Sequence, residues 1–235
     1  MKNTLLSILL PTALLFSATA DAQTPKKSEL PVTAERQAQL TPDIVLKALK
    51  AGNARFVAGT PTEFNAEQSI LASSEGQFPK AYILSCVDSR VPAEMVFDQG
   101  IGDIFVGRVA GNIENEDQLG SMEFASAVAG IRLIVVMGHE ACGAVKGACD
   151  HVELGNITRL IEKIAPAVRT VEGFAPEERN ASNAAFVEAV IKNNVVRTIA
   201  DIRERSPLLS GLEAEGSIQI VGAYYSLQDG SVTFL

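Results

Sequence analysis

Residues 131–139 of the chain read IRLIVVMGH. The run from Ile131 to Met137 is apolar except for Arg132, and its length suits a strand that is buried on both faces. Further runs of strand length occur at 81–84, 104–109, 217–225 and 232–234. Because segments with helical spacing separate most of these runs, we predict an α/β fold, a single domain with a largely parallel central β-sheet flanked by helices.

One of the predicted helices has a clear start signal. Thr41 supplies a capping hydroxyl, Pro42 occupies the first helical position, and Asp43 places an acid in the first turn. The helical pattern that follows ends at Gly59. Helical spacing recurs at 117–129, 141–149, 156–168 and 176–204. Residues 60–80 are predicted to be mostly loop.

The N-terminus has the composition of a secretory signal peptide. Within residues 1–22, one positive charge at Lys2 precedes a short apolar stretch, and small residues lead up to Ala22. The apolar stretch is shorter than the roughly 20 residues that span a bilayer. We therefore predict cleavage after Ala22, with Ala20 as the alternative site, and export to the periplasm or out of the cell.

The rest of the chain is predicted to be an arm followed by one acidic domain. Residues 23–40 are polar and contain two prolines, which predicts a flexible N-terminal arm. The arm leads into the helix at Thr41, and the two together are predicted to form an N-terminal helical arm. Residues 41–235 form the folded domain. The net charge of −8 and the aromatic content of 6% argue against nucleic acid and membranes as partners. This composition favours a protein that acts on a small molecule.

Three cysteines and a histidine form the candidate site. Cys86, Cys142 and Cys149 are an odd number of thiols, which does not indicate a disulfide framework. Cys86 ends one predicted strand and His139 another, and ligands of parallel sheets bind beyond the carboxyl ends of the strands. His139 and Cys142 are three residues apart, so one turn can direct both at one ion. Two thiolates and an imidazole suit zinc, and three protein ligands leave a fourth position for water or substrate.

The segments around these residues resemble the zinc signature of the β-carbonic anhydrases. CVDSR at 86–90 is followed by HEACG at 139–143. Further segments that resemble the family are 49–56, 90–94, 102–106, 108–112, 121–124 and 134–139. The resemblance covers most of 45–235 and implies a zinc-dependent carbonic anhydrase domain. Its reaction would be the reversible hydration of carbon dioxide to bicarbonate and a proton by hydroxide generated at the zinc.

The resemblance also implies roles for individual residues at the metal. Cys86, His139 and Cys142 would hold the zinc. Asp88 and Arg90 would be the catalytic residues, and two arrangements are open for them. Asp88 would either take the fourth metal position and close the site, or pair with Arg90 and leave that position to water.

The family's substrate contacts match four further positions. Gln77 resembles the glutamine that hydrogen-bonds the substrate. Phe105, Ala110 and Phe124 would line a small apolar pocket for carbon dioxide. The family is built on dimers, so a homodimer or homotetramer is expected, in which Gln77 reaches across to the partner.

One family feature is not matched. A branch of the family binds bicarbonate at a regulatory site made of a Trp, an Arg and a late Tyr. Arg108 and Tyr225 match two of these residues, but Ile83 stands at the Trp position and the chain contains no Trp. The sequence therefore argues against this form of regulation.

Other zinc enzymes lack their sequence signatures here. There is no His-x-Glu with Pro-Cys-x-x-Cys as in deaminases, no His-Glu-x-x-His as in zincins, and no Gly-x-Gly-x-x-Gly as in dehydrogenases. Two alternatives stay open. One is a related hydrolase that acts on carbon disulfide or carbonyl sulfide, and the other is a non-catalytic binding protein with a permanently closed zinc site.

Overall fold

Five strands form the sheet at the centre of the computed structural model, which describes residues 30–235. They are β1 (Ala81–Ser85), β2 (Ile104–Arg108), β3 (Leu133–His139), β4 (Gln219–Tyr225) and β5 (Val232–Phe234). Their order is β2-β1-β3-β4-β5, with β5 antiparallel to β4 and the other pairs parallel. This confirms the predicted largely parallel sheet. The predicted signal peptide lies outside the described residues.

Ten α-helices are described within residues 30–235. They are α1 (Ala34–Gln37), α2 (Pro42–Val57), α3 (Ala66–Ser73), α4 (Ala93–Val96), α5 (Glu116–Glu123), α6 (Gly143–Cys149), α7 (Gly155–Glu162), α8 (Ala165–Thr170), α9 (Ala184–Arg205) and α10 (Pro207–Ala214). Thr41 caps α2 as expected, because its hydroxyl accepts a hydrogen bond from the Ile44 N–H at 3.3 Å. None of these helices combines the length and the apolar character that a membrane span requires.

The two faces of β3 pack into different parts of the core. Ile134 and Val136 pack on the side that α9 covers, where Val195 is fully buried. The residues that alternate with them point to the opposite side, against the apolar face of α2 that includes Leu49. Each fully buried aliphatic side chain of this kind contributes about 1.5–3 kcal/mol to folding. The run at 131–137, which is apolar except for Arg132, thus has a core on both of its faces.

Several predicted boundaries differ from the structure. β3 begins and ends two residues later than predicted, because Gly138 and His139 continue the pairing with β4. The segment 60–80, predicted to be mostly loop, contains α3. Asn65 caps the start of α3, because its Oδ1 accepts a hydrogen bond from the Gln68 N–H at 3.0 Å. The helix predicted over 156–168 is two helices, α7 and α8.

The helix predicted over 117–129 changes its form part-way along. After α5 it continues as a π-helical turn, Phe124–Val128.

The described part of the arm is held against the domain. Gln37, in α1, is buried and donates hydrogen bonds to the carbonyl oxygens of Pro79 at 2.7 Å and Ala129 at 2.8 Å. These two bonds join α1 to the loops that precede β1 and β3. Within the arm predicted over 23–40, α1 is thus anchored to the domain.

Candidate metal centre

The sheet register brings the two strand-end ligands together. Ser85 in β1 pairs with Met137 in β3, so Cys86 follows β1 beside the end of β3, where His139 is the last strand residue. Cys142 lies at the start of α6, after a turn. All three side chains are buried, with exposed fractions of 4% for Cys86 and 0% for the other two. Residues that lie far apart in the sequence therefore share one enclosed position at the carboxyl end of the sheet.

The distances between the ligand atoms fit one metal ion. The Sγ atoms of Cys86 and Cys142 are 4.0 Å apart, and all three ligand atoms lie within 4.8 Å of one another. Two sulfurs that each bind a tetrahedral zinc at about 2.3 Å stand roughly 4 Å apart. The separation of the two thiols therefore suits zinc.

His139 presents the correct nitrogen to this position. Its Nδ1 lies 2.9 Å from the carbonyl oxygen of Glu140, and a carbonyl only accepts, so Nδ1 holds the proton. The lone pair is therefore on Nε2, which is buried and has no hydrogen-bond partner among the described residues. A buried polar atom without a partner costs about 1–3 kcal/mol. A bound metal would remove that cost.

The thiols of Cys86 and Cys142 change each other's pKa. The hydrogen bond between them lowers the pKa of Cys86 and raises that of Cys142. The pair therefore releases one proton readily and retains the second. A divalent cation would favour release of both protons, because metals bind thiolates rather than thiols.

Asp88 and Arg90 form a bidentate ion pair at the edge of this site. Arg90 Nε donates to Asp88 Oδ1 at 2.9 Å and Nη2 donates to Oδ2 at 2.8 Å. The hydrogen bonds from Arg90 hold the pKa of Asp88 well below its usual range. Asp88 Oδ2 is 3.8 Å from His139 Nε2. The carboxylate therefore faces the metal position while Arg90 binds both of its oxygens.

Arg108 fixes the backbone between these residues. Its Nε donates to the carbonyl oxygen of Cys86 at 2.9 Å, and its Nη2 donates to that of Asp88 at 2.5 Å. This supporting role was missed from the sequence, which indicated Arg108 only as part of the family's regulatory site. Its position at the end of β2, the strand next to β1, is a signal that could have indicated it.

Comparison with known proteins agrees with this geometry. A family model described as carbonic anhydrase matches residues 81–232. Carbonic anhydrase 2 of Mycobacterium tuberculosis is 40% identical over 192 residues, which cover 78% of this chain and 88% of that protein. The chain belongs to the carbonic anhydrase family. This confirms the predicted enzyme class, a lyase that hydrates carbon dioxide reversibly.

Two further comparisons extend this result. The carbonic anhydrase of Mycolicibacterium smegmatis is 38% identical over 192 residues, or 79% of this chain and 89% of that one. Solved structures of two tetrameric β-carbonic anhydrases from Sordaria macrospora match with a TM-score of 0.63 and 22% identity. The match covers 82% of this chain and 97% of the Sordaria chain. The fold of this carbonic anhydrase is therefore that of the β class, as predicted.

The predicted substrate residues of this carbonic anhydrase are divided between separate surfaces. The rings of Phe105 and Phe124 meet edge to face, with centroids 6.2 Å apart, and line an open cavity of about 670 Å³. Ala110 lines a different groove, together with the start of α6. Gln77 is exposed. One chain therefore does not bring these four residues into a single pocket.

Cys149 and His151 lie outside the candidate metal centre. Cys149 is 3% exposed, and burial raises the pKa of its thiol to about 11, as suits a small buried side chain. His151 is exposed. Neither belongs to the ligand cluster.

Proposed function

We propose that this carbonic anhydrase interconverts carbon dioxide and bicarbonate at a zinc ion held by Cys86, His139 and Cys142. The observation that supports the metal most directly is His139 Nε2, a buried atom with no hydrogen-bond partner among residues 30–235, on a ring that offers a ligand atom within 4.8 Å of both sulfurs. Two thiolates and one imidazole are a ligand set typical of zinc with an open fourth position. When bound, zinc supplies the Lewis acidity that makes hydroxide available near neutral to alkaline pH.

The proposed role of Asp88 is to orient the attacking group. Its lowered pKa keeps the carboxyl ionised, so both oxygens act only as hydrogen-bond acceptors. Oδ2 stands 3.8 Å from His139 Nε2 and can accept a hydrogen bond from a hydroxyl beside the metal position. Such a bond would aim the remaining lone pairs of that oxygen at carbon dioxide.

Arg90 is proposed to keep Asp88 in this role. Two thiolates already neutralise a divalent cation, so a carboxylate ligand would leave a net negative charge at the centre. Arg90 occupies both oxygens of Asp88 with bonds of 2.8 and 2.9 Å, which favours pairing over coordination. The side chain of Arg90 is 56% exposed, so the pair lies at the entrance to the buried centre.

We also propose that a second copy of the chain completes the substrate pocket. Phe124 is 50% exposed and Val128 in the next turn is 72% exposed, which leaves an apolar surface beside Phe105. Exposed apolar surface of this kind is typical of interfaces. The tetrameric state described for the Sordaria structures supports at least a homodimer. Gln77, exposed in one chain, would then reach the partner's metal centre.

Mixing two inactive variants tests the shared pocket. Cys142→Ser would lose the zinc but keep Gln77, and Gln77→Ala would keep the zinc but lose the substrate contact. Dissociation and reassociation of the mixture should recover activity that neither variant has alone, because each mixed dimer holds one complete site. A monomer mass by light scattering at micromolar concentration would rule out the shared pocket.

Export is proposed on the pattern of residues 1–22. One early Lys, a short apolar stretch and the small residues up to Ala22 support a secretory signal. Mass spectrometry of the N-terminus, on protein recovered from the periplasm or medium, should find a chain that begins after Ala22 or Ala20. Full-length protein confined to the cytoplasm would exclude this location.

Stopped-flow hydration of carbon dioxide tests the proposed reaction. Zinc-loaded protein should exceed the buffer rate clearly between pH 7 and 9, and metal-free protein should not. The same preparation should convert carbon disulfide and carbonyl sulfide far more slowly than it hydrates carbon dioxide. A zinc-loaded protein no faster than buffer would favour the closed, non-catalytic zinc site.

A further inference from the structure

The buried face of α9 contains an amide that packing alone does not explain. Asn194 is 2% exposed, and its helical neighbours Val190, Ile191 and Val195 are apolar and buried. Asn is a poorer helix former than the aliphatic residue Leu. Burial of an amide is also unfavourable unless it is hydrogen-bonded. A helix that only covers the sheet would be more stable with an apolar residue at this position.

The amide connects α9 to one of the metal ligands. Asn194 Nδ2 donates to the carbonyl oxygen of Gly111 at 2.8 Å. The N–H of the same Gly111 donates to Cys86 Sγ, with the nitrogen 3.4 Å from the sulfur. Two hydrogen bonds thus link the buried face of α9 to the Cys86 sulfur through Gly111, which follows β2.

Gly111 is held from its other side by packing. Its φ of +72° lies in the left-handed region, and a Cβ there would stand 2.5 Å from Ile164 Cδ1 and 3.4 Å from Ala144 Cβ. Glycine is therefore required at this position. Ile164 and Ala144 hold the α-carbon, and Asn194 holds the carbonyl, so the direction of the Gly111 N–H is defined.

We propose that Asn194 is a positioning residue of the metal centre, which holds Gly111 so that its N–H donates to the Cys86 sulfur. The inference rests on the proposed zinc centre and adds a residue outside the ligand set. A hydrogen bond to a thiolate draws electron density from the sulfur and fixes its orientation. Loss of such outer partners typically reduces metal affinity or activity by about 10–100-fold.

Asn194→Leu tests the proposal, because it removes the donor and keeps an apolar side chain of similar size. Competition with a chromophoric chelator should show zinc affinity lowered by about 10–100-fold. Thr198→Val is the matched control. Thr198 is also 2% exposed and lies one turn farther along α9, so its replacement should leave zinc affinity unchanged.

The absorption spectra of the cobalt-substituted proteins provide a second measurement. A change in protein stability alone would not shift their charge-transfer band. A thiolate that loses an N–H donor holds its electrons less tightly, so the sulfur-to-cobalt charge-transfer band of Asn194→Leu should shift to longer wavelength. Thr198→Val should keep the wild-type band. A folded Asn194→Leu protein with wild-type zinc affinity and an unshifted band would overturn the proposal.

The wild-type protein provides a test that does not depend on the folding of the variant. In protein loaded with ¹¹³Cd, a hydrogen bond to a coordinated sulfur transmits a scalar coupling from the metal to the amide proton. We expect this coupling at the Gly111 amide, and its absence would overturn the proposal. Failure of the protein to bind zinc, cobalt or cadmium would instead overturn the metal centre itself.

Discussion

Asp88 and Arg90 are joined by two parallel hydrogen bonds, at 2.9 and 2.8 Å, while Asp88 Oδ2 lies 3.8 Å from Nε2 of His139. The backbone N–H of Arg90 adds a third bond to Asp88 Oδ1 at 3.0 Å. The carboxylate therefore points toward the metal position with both of its oxygens already engaged. While Asp88 is paired with Arg90, the fourth metal position stays open. If Asp88 bound the metal instead, the site would be closed.

Arg90→Ala should release Asp88 to bind the metal. Zinc content should stay near one ion per chain, while hydration activity falls by roughly 10²-fold or more, as when an oriented catalytic group is lost. Arg90→Lys is the matched control, since it keeps the charge but not the bidentate geometry, and an intermediate rate is expected. Full activity in Arg90→Ala would show that the pair does not hold the site open.

Asp88→Asn should act differently, because an amide is a poor zinc ligand. The fourth metal position would remain accessible while the oriented acceptor is lost. We expect normal zinc content, a reduced hydration rate and continued inhibition by small anions, measured by stopped flow. Loss of zinc from Asp88→Asn would indicate that Asp88 is a permanent ligand.

Cys142→Ser should lose most of the bound zinc, because the remaining sulfur and imidazole hold the ion less tightly than three ligands. Cys149→Ser makes the same chemical change at another buried thiol. Burial raises the pKa of the Cys149 thiol to about 11. That control should retain about one zinc per chain by elemental analysis. Equal zinc content in the two variants would contradict the ligand set.

The pH dependence of the rate should not come from Asp88. Hydrogen bonds from Arg90 lower the pKa of Asp88 below the ordinary value of about 3.9. Stability from such a group is present above the unfolded pKa and is lost as the pH falls through the folded pKa. The pair should therefore persist from pH 6 to 9.

The hydration rate should nevertheless rise toward alkaline pH. A centre with two thiolates and a neutral imidazole is formally uncharged, so it acidifies water less than a three-histidine site would. Stopped-flow rates should increase between pH 6 and 9, while the ¹³C shift of the Asp88 carboxyl stays constant. A carboxyl shift that follows the rate would assign the pH dependence to Asp88 instead.

Local patterns in the sequence were sufficient for the strands and for the positions of the candidate ligands. The run at 131–137 is apolar except for Arg132, which indicates a strand buried on both faces without any contact information. Cys86 and His139 were placed correctly because parallel strands bring their carboxyl ends to one edge of the sheet. The Asp88–Arg90 spacing allowed two arrangements, and the sequence did not choose between them.

Tertiary structure alone decided the contacts between distant segments. The hydrogen bond from Asn194 to Gly111 joins residues far apart in the chain, and its existence depends on how α9 packs over the sheet. The two bonds from Arg108 to the Cys86–Asp88 backbone likewise require β1 and β2 to be neighbours. A side chain's partner across the fold is set by packing geometry, which no periodicity in the sequence encodes. The sequence by itself determined the fold and the candidate metal ligands, and the tertiary structure decided how those side chains are held.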